Sequence, residues 1–165
     1  MITMTFDNTL FETLHRTEAW KYTNVSALSK IDFADGVGGD ADEIQSFDLA
    51  LNNPFVVFVN GVFNEGPSRL VDGIEISSTN TNSLASRSDS MIPRGESDSL
   101  TISGSHEKTI HVLQLITGDS PVACYGNVYI HAGEGDKLSI AETHVAIGDC
   151  DHLFMPCTEV VAGKN

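Results

Sequence analysis

Basic residues are scarce in this sequence. Lys and Arg together number 9 against 23 Asp and Glu, which gives a formal net charge of −14 over 165 residues. A field of that sign repels nucleic-acid phosphates and anionic membrane surfaces, so we expect neither nucleic acid nor a membrane among the partners. The acidic residues themselves are typical of a well-solvated protein surface.

Cysteine and long apolar runs are also scarce. The 3 cysteines lack the even number and the spacing of a disulfide framework, which favours a reducing compartment. The longest strongly apolar run, Phe55–Val59, is too short to cross a bilayer, and the N-terminus lacks the basic start and apolar core of a signal peptide. We therefore predict a cytoplasmic location. A hydrophobic content of 41% is enough for one domain with its own core.

Motifs of the common enzyme classes are missing as well. The sequence contains no P-loop, no dinucleotide-binding GxGxxG and no nucleophile elbow. The glycine-rich run 36–39 has no predicted strand before it and no Lys, so it predicts a flexible loop. Three acidic residues near one turn, Glu134, Asp136 and Glu142, have no matched acid–base partner, and we interpret them as solvated. We predict no catalytic residue and no enzyme activity.

One group of possible metal ligands lies near the end of the sequence. Cys150, His152 and Cys157 carry thiol and imidazole groups, which suit zinc or iron. Their Cys-x-His-x4-Cys spacing matches no usual metal motif, and no fourth ligand lies nearby in the sequence. We interpret them as small buried thiols beside a surface imidazole, and we predict neither a metal site nor a cofactor.

Three further histidines, His111, His131 and His144, lie on predicted strands. They raise an alternative function, a metal-dependent small β-barrel enzyme of the cupin type. A cupin would show His-x-His followed by Glu at close spacing, and the sequence contains no such pair. Histidines on an outer strand face are usually plain polar residues, and we favour that interpretation.

The region 109–147 organises the rest of the chain. Three apolar runs, 110–116, 122–131 and 138–147, are separated by turns rich in Gly, Asp and Pro, which predicts three successive strands. The first run is apolar on both faces and suits a strand that is covered on both sides. The second alternates, with Val122, Cys124, Val128 and Ile130 on the inner face and Tyr125, Asn127, Tyr129 and His131 on the outer face.

The third run changes phase along its length. Leu138 and Ile140 share one face, whereas Val145 and Ile147 share the other, so we predict a bulge or a corner near Glu142. Strands that turn a corner and then continue favour a β-solenoid over a flat meander. Periodicity alone leaves both architectures open.

The first part of the sequence mixes helical and strand patterns. Short amphipathic helices are predicted over 8–16 and 40–51. Phe55–Val59 predicts a buried strand, and the following Asn60-Gly61 predicts a type I′ hairpin, since both turn residues tolerate positive φ. The polar stretch 77–105 predicts a long surface loop with one short strand at 100–102.

Three motifs in order resemble a known family. They are the run RTEAWKYT at 16–23, the VFVNGVF hairpin at 57–63, and Gly135-x-x-Leu138-x-Ile140-x-Glu142. Together they resemble the SufB/SufD family of iron–sulfur cluster assembly scaffolds, and SufD-type members more than SufB-type ones. The matched stretches cover about half of the chain. Trp20 then identifies a family rather than an active site, and we expect its ring to pack on the core.

The resemblance implies a mainly β fold. A small α/β N-terminal part, residues 1–107 with the polar loop 77–105, precedes the first turns of a right-handed parallel β-helix at 108–165, a truncated SufD-like solenoid. The implied function is that of a non-catalytic scaffold subunit in Suf-type iron–sulfur cluster assembly. The implied partners are a SufB-like subunit, bound through the solenoid, and a SufC-like ATPase, bound through a C-terminal domain.

The chain also departs from the family pattern. No clear helix-rich linker precedes the strand at Ile110, and the residues Lys108-Thr109 directly before it include no Pro. The family's later solenoid turns, its C-terminal domain and their Cys and His residues have no counterpart here. We therefore expect a fragment or a reduced family member. A further alternative is a stand-alone β-solenoid interaction module without its own activity. The final apolar run, 153–162, predicts an open strand edge that favours self-association.

Overall fold

A computed structural model describes residues 10–16, 18, 21–39, 42–49, 52–77 and 98–164. The fold is mainly β, as predicted. One short α-helix, α1 (Leu10–Thr13), runs into a 3₁₀ turn at Leu14–Arg16, and two further 3₁₀ helices cover Ser26–Lys30 and Asp42–Phe47. The strands are β1 (Ala34–Asp35), β2 (Phe55–Val59), β3 (Val62–Phe63), β4 (Ile74–Ser77), β5 (Ser99–Ser103), β6 (Ile110–Thr117), β7 (Val122–Ala132), β8 (Ile140–Ile147) and β9 (Leu153–Ala162).

The strands form two sheets. The first sheet has the order β4-β5-β7-β9, with β1 also paired to β7, and the second has the order β3-β2-β6-β8. From β5 onward, successive strands alternate between the sheets, and each of β7, β8 and β9 pairs in parallel with the strand two before it. The sheets are mixed, because β3 and β4 join their neighbours in antiparallel fashion.

The Asn60-Gly61 hairpin forms as the sequence predicted. Asn60 has φ of 52° and Gly61 has φ of 80°, the left-handed values that a type I′ turn requires. β2 and β3 flank this turn in antiparallel register, with Val59 opposite Val62. The predicted strand at 100–102 is confirmed as well and extends over Ser99–Ser103.

The main core lies between the two sheets. β2 and β6 of the second sheet contribute inward side chains, and β4, β5 and β7 of the first sheet contribute theirs. The buried members are Val56, Phe58, Ile74, Leu100, Ile102, Ile110, Val112, Val128 and Ile130. Since large apolar side chains from both sheets meet there, hydrophobic burial stabilises the face-to-face packing of the sheets.

β6 is buried on both faces, which confirms the prediction for that strand. Its outward residues Leu113 and Leu115 join Phe55, Val57 and Val59 of β2 in a second apolar cluster. The 3₁₀ helix Asp42–Phe47 lies over this cluster and buries Ile44. The outer face of the second sheet is therefore covered in the way the sequence of β6 requires.

The prediction of an amphipathic helix over 40–51 is wrong in the type of helix and in where the helix ends. The described part is a 3₁₀ helix of six residues, Asp42–Phe47. A 3₁₀ helix places residues i and i+3 on the same side, so Ile44 and Phe47 both reach the outer cluster. The predicted Leu51 contact lies outside the described residues.

Tyr125 was predicted to face outward, and it does so without being exposed. Phe11, Leu14 and Phe33 pack on the outer face of the first sheet and leave only 2% of Tyr125 accessible. The predicted short N-terminal helix supplies Phe11 and Leu14, and its start before Leu10 lies outside the described residues, as does Trp20. The N-terminal segment thus covers the outer face of the first half of β7.

The bulge predicted near Glu142 is absent. β8 pairs with β6 in one unbroken register from Ile110–Ile140 to Thr117–Ile147. The change of phase has another cause, since the start of β8 packs into the core between the sheets while Val145 and Ile147 pack into the outer cluster. A strand buried partly on each face produces the same apolar pattern as a bulge.

Backbone pairing runs across the predicted division at residue 107. β2 pairs with β6 and β5 pairs with β7, so strands from both sides share each sheet. Most of the predicted polar loop, residues 78–97, lies outside the described residues. Among the helices that are described, none has the length and apolarity needed to cross a membrane.

Candidate functional site

β8 and β9 form the last layer of the two sheets. β8 pairs only with β6, and β9 pairs only with β7, within the described part of the chain. Each strand therefore presents one open edge of backbone N–H and C=O groups on the same end of the fold. We call these two strands the terminal layer. Open edges are the usual sites at which a further strand adds to a sheet.

The inner face of the terminal layer is more polar than the layers above it. On adjacent strands of the second sheet, Phe58, Gln114 and His144 are register partners in that order. Glu142 similarly follows Val112. The space between the sheets thus changes from apolar to polar towards the open end.

Glu142 and His144 form a small polar network with β9. Thr158 Oγ1 donates to Glu142 Oε2 at 2.9 Å, and His144 Nε2 lies 3.1 Å from Glu142 Oε1. The His144 ring also meets Phe154 edge-on, with centroids 4.9 Å apart. Only 22% of the Glu142 side chain is accessible, so the prediction that Glu142 is simply solvated is wrong.

Gln114 lies on β6, the strand next to β8, and belongs to no recognisable sequence motif. The residue is 1% exposed, and neither its Nε2 nor its Oε1 makes a hydrogen bond to another described residue. The carboxamide occupies the space left by Gly126 on the facing strand, where an added Cβ would come within 2.6 Å of Nε2. An inward Gln opposite a Gly is the signal that could have pointed to this pair.

A second polar cluster lies on the outer face of the second sheet. Asp48, with a side chain 2% exposed, makes a 2.8 Å ion pair with Arg69. Arg69 Nε donates to the Asn53 carbonyl at 3.1 Å, and its guanidinium lies over the Phe55 ring. A buried carboxylate requires such a partner, because the free-energy cost of desolvating an unpaired charge is large compared with the stability of a protein.

His111 belongs to this outer cluster. Its ring stacks on Phe55 with centroids 5.0 Å apart, and Nε2 lies 2.9 Å from Thr143 Oγ1. Burial lowers the pKa of His111, the Asp48 carboxylate acts against that shift, and Arg69 adds to it. The lowered pKa favours the neutral imidazole in the folded protein.

The three histidines that suggested a cupin site lie in three different environments. His111 is buried on the outer face of the second sheet, His131 is exposed on β7, and His144 is exposed on β8, where its ring meets Phe154 of β9 edge-on. Strand alternation and separate sheets keep them apart. The structure does not bring these histidines together.

Cys150 and His152 lie just before β9, and Cys157 lies on it. All three cysteines of the chain are free, and His152 makes no hydrogen bond through either ring nitrogen to a described residue. In the described ranges, no group of three or more His, Cys, Asp or Glu is placed to hold a metal ion. Burial raises the pKa of the third thiol, Cys124, to about 12, which makes it an unreactive core residue.

The other acidic candidates support turns. Asp136 accepts hydrogen bonds from the Ser105 hydroxyl and the Gly133 amide, both at 2.8 Å, while Glu134 is exposed. These contacts tie the turn before β8 to the loop after β5.

The glycine-rich run 36–39 forms a loop, and the short strand β1 precedes it, which the sequence did not predict. Gly36 donates its N–H to the Ala123 carbonyl at 3.0 Å. A Cβ on Gly36 would lie 2.1 Å from the Asn60 carbonyl oxygen, so only glycine permits this close approach.

The sequence matches no protein-family model and has no significant match among curated proteins.

Proposed function

We propose that this chain is a non-catalytic scaffold subunit, or part of one, in Suf-type iron–sulfur cluster assembly, built on a right-handed parallel β-helix. The observation that carries the proposal is the alternation of β5 to β9 between two sheets, with parallel pairing between alternate strands. A chain that coils through two sheets in this way builds a solenoid one turn at a time. The motifs at 16–23, 57–63 and 135–142 supply the resemblance to the SufB/SufD family.

The terminal layer is the surface that this function would use. A solenoid hydrogen-bonds each turn to the next, so its open end accepts a further pair of strands. Val160 and Val161 on β9 are 62% and 49% exposed, and apolar contact would reinforce backbone pairing there. A SufB-like subunit is the proposed occupant of this end, and a SufC-like ATPase is the proposed third component.

The polar inner face of this layer adds a chemical requirement. The two ring nitrogens of His152, the residue just before β9, are inaccessible to solvent and make no hydrogen bond to a described residue. Buried polar atoms are nearly always satisfied in stable assemblies. The strands that cover this end are therefore expected to carry inward hydrogen-bonding side chains rather than an apolar layer.

The test is co-expression with SufB-like and SufC-like subunits from one Suf system. Size-exclusion chromatography with light scattering should detect a stable complex. Val160→Lys/Val161→Lys should abolish it, because two charges at the edge oppose strand addition. The matched control is Val37→Lys, which places the same charge at a site 71% exposed on the glycine-rich loop and should leave the complex intact. Failure of the wild-type chain to bind either subunit would reject the proposal.

A stand-alone interaction module is the second candidate, and the exposed apolar edge of β9 favours it. Such a module would self-associate without Suf subunits. The net charge of −14 opposes self-association, so added salt should strengthen it by screening the repulsion. Light scattering of the isolated chain over a salt series separates the two candidates. A well-folded monomer at high salt would exclude self-association.

A further inference from the structure

The outer face of the second sheet is covered by residues 42–49, which we call the cover segment. Ile44 is buried in the outer apolar cluster, and Phe47 is packed against it. Beneath them lie side chains of β2, β6 and β8 that are buried together with Ile44 or packed against the cluster. They are Phe55, Val57, Val59, Leu113, Leu115, Val145 and Ile147. Movement of the cover segment would therefore expose an apolar surface.

The end of the cover segment is tied to the sheet at two points. Asp48 makes its ion pair with Arg69, which in turn binds the Asn53 carbonyl. The Leu49 amide donates to Nδ1 of His111 at 3.5 Å. Leu49 as a whole is 67% exposed.

The Leu49 contact fixes the protonation state of His111. Because Nδ1 accepts the Leu49 N–H, it carries no proton, and Nε2 then donates to Thr143 Oγ1. A proton on Nδ1 would place the Nδ1–H group of His111 opposite the backbone N–H of Leu49. Two donors cannot form a hydrogen bond, so the contact between Leu49 and His111 would break. The imidazolium would also be buried, at 2% exposure of the residue.

We propose that His111 is an acid-sensitive latch, whose protonation at Nδ1 releases the cover segment from the outer face of the second sheet. The groups around the His111 ring favour release of the cover segment, rather than tighter binding of it, when the ring is protonated. Arg69 repels an imidazolium and stays on the sheet through Asn53, whereas Asp48 attracts it but is already engaged by Arg69. The contacts of His111 with described residues of β2 and β8 are with Phe55, Ala141 and Thr143, which are all uncharged.

The direction of the pH dependence follows from the lowered pKa of His111. Opening of the segment returns the imidazole to water, where its pKa is about 6.5. Between that value and the lower pKa of the closed form, the open form binds one more proton, so the closed form loses stability as the pH falls. Above about pH 6.5 the latch is closed and independent of pH. This device does not depend on the proposed scaffold function.

Hydrogen–deuterium exchange of the whole chain between pH 7.5 and 5, followed by mass spectrometry, tests the latch. After correction for intrinsic exchange, protection of peptides covering 42–49 should be constant above about pH 6.5 and fall by up to about tenfold per pH unit below it. His111→Gln keeps one acceptor and one donor but cannot titrate, and it should flatten the profile. His131→Gln, on the exposed face of β7, is the control and should leave the profile unchanged.

A constant protection of 42–49 in the wild type would overturn the proposal, as would the same pH profile in His111→Gln. If His111→Gln does not fold, NMR of the wild-type protein replaces it. The imidazole shifts of His111 and the amide shifts of 44–49 should then titrate with one midpoint below 6.5, the ordinary histidine pKa. Separate midpoints would overturn the proposal.

Discussion

The carboxamide of Gln114 fills the space that Gly126 leaves on the facing strand. The two residues belong to different sheets, and a Cβ on Gly126 would meet all three terminal atoms of the Gln114 side chain at 2.6–2.9 Å. Gln114 is 1% exposed, so its side chain cannot move into solvent. The pair therefore sets the separation of β6 and β7 at this layer.

Gly126→Ala should destabilise the protein by about 1–3 kcal/mol, because it overpacks a closed layer. Gln114→Ala in the same chain should remove the clash, so the double variant should lose less than the sum of the single losses. Denaturant unfolding of the four proteins measures both effects. Gly66→Ala is the control, since its new Cβ would meet only Asn64 Oδ1 at 3.6 Å. Strict additivity would contradict the contact.

Leu14→Ala should cost about 2–5 kcal/mol, as expected for a fully buried leucine. Leu14 is 1% exposed and packs with Phe11 and Phe33 over Tyr125. The near-ultraviolet circular dichroism of the tyrosines should change together with the unfolding midpoint. Leu70→Ala, at a site 44% exposed, is the matched control and should stay within about 0.5 kcal/mol of the wild type. Equal losses in both variants would show that the N-terminal segment does not cover β7.

Asn60→Ala should cost at least about 2 kcal/mol. Its amide donates to the carbonyls of Val37 and Thr117, and its Oδ1 accepts the Thr117 N–H, all within 3.1 Å. The backbone adds strain, because φ is 52°. Asn60→Gly loses the same hydrogen bonds but tolerates that φ, so thermal unfolding should place it between the wild type and the alanine variant. An alanine variant as stable as the glycine variant would exclude backbone strain.

The purified chain should be colourless and free of bound metal. Cys150, His152 and Cys157 form no metal-holding group with other described residues. Elemental analysis after anaerobic purification is the measurement, with Cys150→Ser and Cys157→Ser as comparison variants. One equivalent of zinc or iron that disappears in either variant would refute the prediction and revive an enzyme or a cluster carrier.

The sequence by itself determined the strands and the hairpin. Alternation of apolar residues and the Gly, Asp and Pro turns predicted β6, β7 and β8, and Asn60-Gly61 predicted the reversal after β2. These features depend on local backbone preferences and on which residues can be buried. Neighbouring residues carry that information, so no knowledge of distant contacts was required.

Only the tertiary structure decided which polar residues meet. The contacts of Gln114 with Gly126, of Asp48 with Arg69 and of Glu142 with Thr158 join separate segments. Burial of Tyr125 depends on a helix more than a hundred residues earlier, and the unbroken register of β8 depends on β6. The apolar pattern of a strand predicts that one of its faces is buried. It does not identify the segment that covers this face, since any apolar neighbour can bury it. Long-range strand pairing and its register decide which residues come into contact.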